Sequence, residues 1–173
     1  PDFKIVPAYE EADFAEPRLI QGQGFENVGD RTFFWYSIWV AFNMETPTGV
    51  RLATWDRDRL GYFTAAPGQE DVHFLSKALE PMPQGASLYV NADGLSASSQ
   101  LRVEILDHHL RPVPGYSGAD SVPQQKSGFR EQVTWRGGRQ VDGLDRPFRI
   151  RVNWEGSHQE KARLFAVYVV EGS

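Results

Sequence analysis

The sequence predicts an all-β fold: an antiparallel β-sandwich of jelly-roll-like type, with few or no helices. Three observations predict it. Eleven Pro and sixteen Gly are scattered along the 173 residues and leave few uninterrupted windows for a helix. Short apolar runs recur with the two-residue period of strands. Clusters of turn residues separate those runs, the arrangement expected of a sandwich or barrel.

Taken in order, residues 1–31 are less regular and read as a partly irregular N-terminal arm, followed by a sandwich domain over 32–173. Thr32–Phe42 is a long aromatic run, apolar on both faces, which predicts a central strand. Gly49–Trp55 alternates, with Val50 and Leu52 on one side. Asp71–Leu79 has partial helical spacing through Val72, Leu75 and Leu79, but extended structure is the expectation. Ala86–Asn91 puts Leu88 and Val90 together, and Leu101–Leu106 puts Leu101, Val103 and Ile105 inward. Val113–Arg130 lacks periodicity and reads as a long ordered loop, a length that often serves binding. Glu131–Trp135 predicts a short strand ending at a Gly137-Gly138 hairpin turn. Phe148–Trp154 has the cleanest alternation, with Phe148, Ile150, Val152 and Trp154 inward and Arg149, Arg151 and Asn153 outward. Leu164–Val170 is apolar on both faces and closes the domain.

Composition narrows the functional classes. The net charge of −5 with no basic stripe disfavours nucleic acid. No apolar run reaches the roughly 18 residues of a spanning helix. Cysteine is absent, which removes disulfides and thiolate–metal sites. The chain opens at Pro1 without an initiator Met, so a mature or truncated product is the expectation.

Several constellations can carry chemistry. Asp56 and Asp58 stand at strand spacing in Asp56-Arg57-Asp58-Arg59, which would place them about 7 Å apart on one face. A glycosidase needs two carboxyls about 5–10 Å apart. Asp56, Asp58 and Glu104 are therefore the candidate acid and base of a small polysaccharide-acting enzyme. The flanking arginines oppose that role, because they lower carboxyl pKa values. The plain alternative is an ion-pair cluster fixing a strand end. His108 and His109 end a strand, where neighbours point to opposite faces, so one metal would not take both. Asp93, Asp107 and Asp120 with turn carbonyls offer calcium its preferred oxygens, without a calcium-loop motif. No other cofactor is implied.

Aromatic residues make up 13% of the chain. They serve either as a ring-rich β core or as stacking surfaces for sugar. Trp39, Trp55, Tyr116 and Trp135 are the candidates for glycan stacking. Arg102, Glu104, Arg149 and Arg151 form an outward polar set: either a basic platform for an acidic glycan or a solvated face with cross-strand ion pairs.

Leu88–Gly94, Leu101–Asp107, Pro112–Tyr116, Val133–Arg136, Phe148–Arg151 and Leu164–Tyr168, in this order and spacing, resemble a known module. It is the C-terminal β-sandwich that follows a five-bladed β-propeller in bacterial glycoside-hydrolase-like proteins of the invertase and arabinanase type. Gly29-Asp30, Thr32–Tyr36 and Gly49–Phe63 resemble the end of the last blade, so residues 32–63 are expected to be propeller-derived strands. The resemblance implies a secreted or periplasmic protein, a polysaccharide or oligosaccharide ligand, and a catalytic propeller domain or chain as partner. It implies no inherited hydrolysis, because the catalytic carboxylates belong mainly to blades this chain lacks. The expected function is a non-catalytic module that binds glycan or braces a glycoside hydrolase domain. A purely structural or oligomerisation domain is the third reading, marked by an exposed apolar patch.

Overall fold

A computed structural model of the chain describes residues 17–40, 50–138 and 140–172, with the side chains of 17–23 and 38–40 outside the description. The chain divides into two compact units, Pro1–Gly61 and Tyr62–Ser173. The described residues are all-β, with short 3₁₀ turns in place of longer helices.

The first unit is a three-stranded antiparallel meander of β1 (Pro17–Val28), β2 (Arg31–Val40) and β3 (Arg51–Asp56), with β2 central. β1 and β2 meet through Gly29-Asp30, where Gly29 takes φ 59°, the left-handed value a two-residue hairpin needs. One face of β2 is buried: Phe34 and Tyr36 are covered, with Ala53 and Trp55 against them. Phe34 stacks on Phe25 at 5.0 Å and contacts Trp55 at 6.1 Å. Within the partly irregular arm expected over 1–31, residues 1–16 lie outside the described residues, and Pro17–Val28 is a paired strand. Its alternation is interrupted where the register shifts between Gln21 and Phe25, around Gly22 and Gly24.

The second unit holds β4 (His73–Leu75), β5 (Ala86–Asp93), β6 (Gln100–Asp107), β7 (Gly128–Gln132), β8 (Phe148–Glu155) and β9 (Arg163–Glu171). They form two antiparallel sheets, β4-β8-β6 and β7-β5-β9, so consecutive strands alternate between sheets. Leu88, Val90 and Ala92 of one sheet meet Val103, Ile105, Ile150 and Val152 of the other in one core. Each of the Leu, Val and Ile side chains contributes about 1.5–3 kcal/mol by leaving water.

The long loop after β6 closes one side of this sandwich. Its backbone bonds the free edge of β6, through Val113 N–H to Ile105 O and the reciprocal Leu101–Gln124 pair. Between those two contacts, Ser121 forms an isolated bridge with Trp135, three residues past the end of β7. The expected strand Glu131–Trp135 lies further upstream, over Gly128–Gln132. Gly137-Gly138 does not turn a hairpin: it sits in a 3₁₀ turn between β7 and β8, which belong to different sheets.

Candidate functional site

The outer face of β4-β8-β6 carries a polar groove of about 560 Å³. Alternation along β6 and β8 sends Arg102, Glu104, Arg151, Asn153 and Glu155 away from the core. The register sets Arg102 opposite Asn153 and Glu104 opposite Arg151. Asp71 and His73 line the groove on the β4 side, and Gly118 and Ala119 of the loop line the other.

Glu104 is the centre of the groove's bonding. Its Oε2 accepts from Arg151 Nε at 2.8 Å, Arg151 Nη2 at 2.5 Å and Asn153 Nδ2 at 2.8 Å. Its Oε1 accepts from the Gly118 N–H at 2.6 Å. The residue is 4% exposed. Burial works to raise its pKa, but the Gly118 N–H, the Asn153 amide and the Arg151 guanidinium together hold it below the ordinary value. Arg102 is fixed beside it, donating to Glu155 Oε1 at 2.7 Å and to the Gly118 and Ser121 carbonyls. The groove is thus lined by planar polar groups in set orientations. Arg149, the third outward arginine, lies opposite Leu106 and donates to Ser76 O at 2.8 Å.

The other expected site residues are dispersed. Trp135 is fully buried, donates Nε1–H to Tyr116 O at 3.0 Å, and meets the Tyr116 ring edge-on at 5.3 Å. Tyr116 is 6% exposed, and its hydroxyl engages Asp142. Neither ring has a face to offer a sugar; both plug the sandwich under the crossing loop. Trp55 packs on the Phe34 cluster of the first unit. The side chain of Trp39 lies outside the described residues.

Asp56 and Asp58 do not share a strand face. Asp56 ends β3 and pairs with Arg31 at 2.5 Å. Asp58 lies in the following turn at φ 59°, accepting from Asn27 at 2.8 Å while its N–H donates to Thr32 Oγ1. The cluster ties the β1–β2 turn to the end of β3.

Asp93, Asp107 and Asp120 serve three separate turns. Asp93 accepts the Gly94 N–H, Asp120 faces Arg136, and Asp107 accepts from the backbone of Arg111 and His109 and from the Arg111 side chain. The Arg111 backbone bond leads the contacts that lower the Asp107 pKa. Among the described residues no group of three His, Cys, Asp or Glu side chains lies close enough to hold a metal ion. His108 and His109 are past the strand end, in a turn, with ring centroids 3.8 Å apart; they do not point to opposite faces.

Sequence reasoning missed Asp71, His73 and Glu155 in the groove, and a second cluster of Tyr89, Tyr168, Phe129 and Arg130 on the opposite sheet. Alternation shows that a residue points outward, whereas cross-strand register decides what it meets. Compared with protein-family models, curated proteins and solved structures, the chain has no match in any of the three.

Proposed function

We propose that residues 62–173 form a non-catalytic, carbohydrate-associated β-sandwich module that binds glycan in the groove over β6 and β8. The observation that carries this reading is the fixed carboxylate–guanidinium–amide array of Glu104, Arg151, Asn153 and Arg102. Planar polar groups held in advance suit the paired hydroxyls of a sugar, because little side-chain freedom is lost on binding. The resemblance to propeller-following sandwich modules points the same way. Glu104 suits a binding role better than a general-acid role, since its surroundings favour the ionised form.

Affinity electrophoresis against a panel of neutral polysaccharides tests the proposal. Retardation by at least one, lost in His73→Ala and Asn153→Ala, is the expected result. No retardation on any polysaccharide removes the binding reading. Release of reducing ends by the wild-type chain would overturn the non-catalytic one.

A second reading, that the module braces a catalytic domain, is favoured by an apolar groove of about 360 Å³ between the sheets. Phe63, Phe74, Leu79, Ile150 and Val167 line it. An added arabinanase-type propeller lacking its own sandwich should then shift the NMR signals of Phe74 and Val167. Unchanged signals exclude this reading.

A further inference from the structure

The outer face of β7-β5-β9 carries a second feature, distinct from the groove. The register pairs Val90 with Glu131 and Ala92 with Gly128, so Phe129 and Arg130 together oppose the single residue Asn91. This is a β-bulge, which re-aims the side chains of the bulged strand. Tyr89 and Tyr168 are direct cross-strand partners. The Arg130 guanidinium lies over both rings, 5.0 Å from the Tyr89 centroid and 5.5 Å from that of Tyr168. Phe129 meets Tyr168 edge-on at 5.9 Å and is 36% exposed.

A guanidinium whose carbon is held over two rings has N–H donors left for other partners. Among the described residues Arg130 has no carboxylate partner, and the adjacent Glu131 is taken by Lys126 at 3.0 Å. Arg102 and Arg151 on the other sheet are each matched to a glutamate, and Arg149 donates to the Ser76 carbonyl. Arg130 therefore combines exposure, a held position and a positive charge without a carboxylate partner among the described residues, beside the accessible ring of Phe129. Guanidinium edges select planar oxyanions, and an aromatic ring selects the C–H face of a sugar.

We propose that Arg130, on its Tyr89–Tyr168 cradle and beside Phe129, binds a saccharide bearing an oxyanion: a uronic acid carboxylate or a sulfate ester. The saccharide half of this assignment rests on the carbohydrate reading above; the oxyanion half rests on Arg130 alone. A polyanion such as nucleic acid is a poorer fit, because a lone arginine on a chain of net charge −5 gives no basic track.

Calorimetric titration of the full chain tests this with trigalacturonate, its methyl ester, a sulfated galactan oligosaccharide and a neutral oligosaccharide. The acid should bind about tenfold or more tightly than the ester, the weight of one charge-assisted guanidinium contact. Arg130→Gln should erase that preference, and Arg130→Lys should lose most of it because a point charge lacks the fork. Asn153→Ala should leave it intact. An Arg130-dependent preference for the sulfated ligand supports the site and identifies sulfate as the source. Equal binding of acid and ester with no Arg130-dependent preference for the sulfated ligand, full binding by a folded Arg130→Gln variant, or no binding of either anionic saccharide overturns the proposal. Equal Arg130-dependent capture of an acidic peptide overturns the saccharide half. Acid binding that persists when the groove binds no neutral glycan separates the two sites.

Discussion

Four N–H bonds from three residues converge on the Glu104 carboxylate, and they set how this part of the sandwich responds to acid. The folded-state pKa lies below the ordinary 4.5, so the ionised form is favoured by folding. A depressed carboxyl pKa contributes stability that is complete above the unfolded value and is lost as pH falls through the folded one. The Glu104 contribution should therefore be constant at neutral pH and decline only below about pH 4.5. Glu104→Gln should cost about 1–3 kcal/mol at pH 7, since it leaves Arg151 facing a neutral amide. It should also flatten part of the acid limb. Urea unfolding at several pH values between 3 and 7 measures both effects, and equal losses for variant and wild type across that range would refute the assignment. Trp135 makes the opposite kind of contribution. Trp135→Ala should lower stability by about 3–5 kcal/mol through the cavity it leaves. Trp135→Phe should cost about 1 kcal/mol for the lost bond to Tyr116 O. Glycan affinity should follow the folded fraction in both variants, which a titration corrected for unfolding would show.

Among the elements, the period-2 pattern was a reliable guide where nothing interrupted it. Phe148–Trp154 alternates without a break, and β8 spans Phe148–Glu155 with the expected faces. β1 was hidden because Gly22, Gly24 and the register shift interrupt its pattern. β7 was displaced because a bulge puts two of its residues against one, and because Val133 and Trp135 are apolar for the core without being in the strand. Tyr116 looked exposed because it sits in a long loop, yet that loop is the wall of the sandwich and its ring is part of the filling. The outward arginines and glutamates were visible as a set, whereas the pairing of Arg151 with Glu104 depends on register, which local sequence does not encode. The turn after β5 offers an element-scale test. Gly94 takes φ 69°, and a Cβ there would lie 2.0 Å from the Lys161 carbonyl oxygen. Gly137 takes φ 78° with open space around it. Gly137→Ala should cost about 1–2 kcal/mol for the left-handed backbone alone. Gly94→Ala should cost clearly more, because the backbone of the β8–β9 connection must also move. Thermal melts of the two variants provide the comparison, and equal shifts would show that the connection yields freely.

At the scale of the molecule, the division after Gly61 makes its own prediction about folding. The core around Leu88, Val103, Ile150 and Val152 is drawn from the second unit, and both sheets of the sandwich are formed within it. The Phe34–Tyr36 cluster belongs to the first unit. Residues 62–173, cut from the chain, should therefore unfold in one cooperative urea transition and keep near-ultraviolet circular dichroism from the buried Trp135 and Trp154. The starting residue matters. Phe63 exchanges two backbone hydrogen bonds with Leu164 at 2.9 Å, and Arg163 lies over the Tyr62 ring at 5.1 Å. A chain beginning at Ala65 loses both contacts at the β9 edge and should be less stable than one beginning at Tyr62 by about 1–3 kcal/mol. It also uncovers part of the apolar groove that Phe63 lines, so its binding of an apolar dye should rise in parallel. Equal stability of the two fragments would mean that the Phe63–Leu164 pairing adds nothing to the sandwich. A 62–173 fragment without a cooperative transition would place its folding information partly in the first 61 residues.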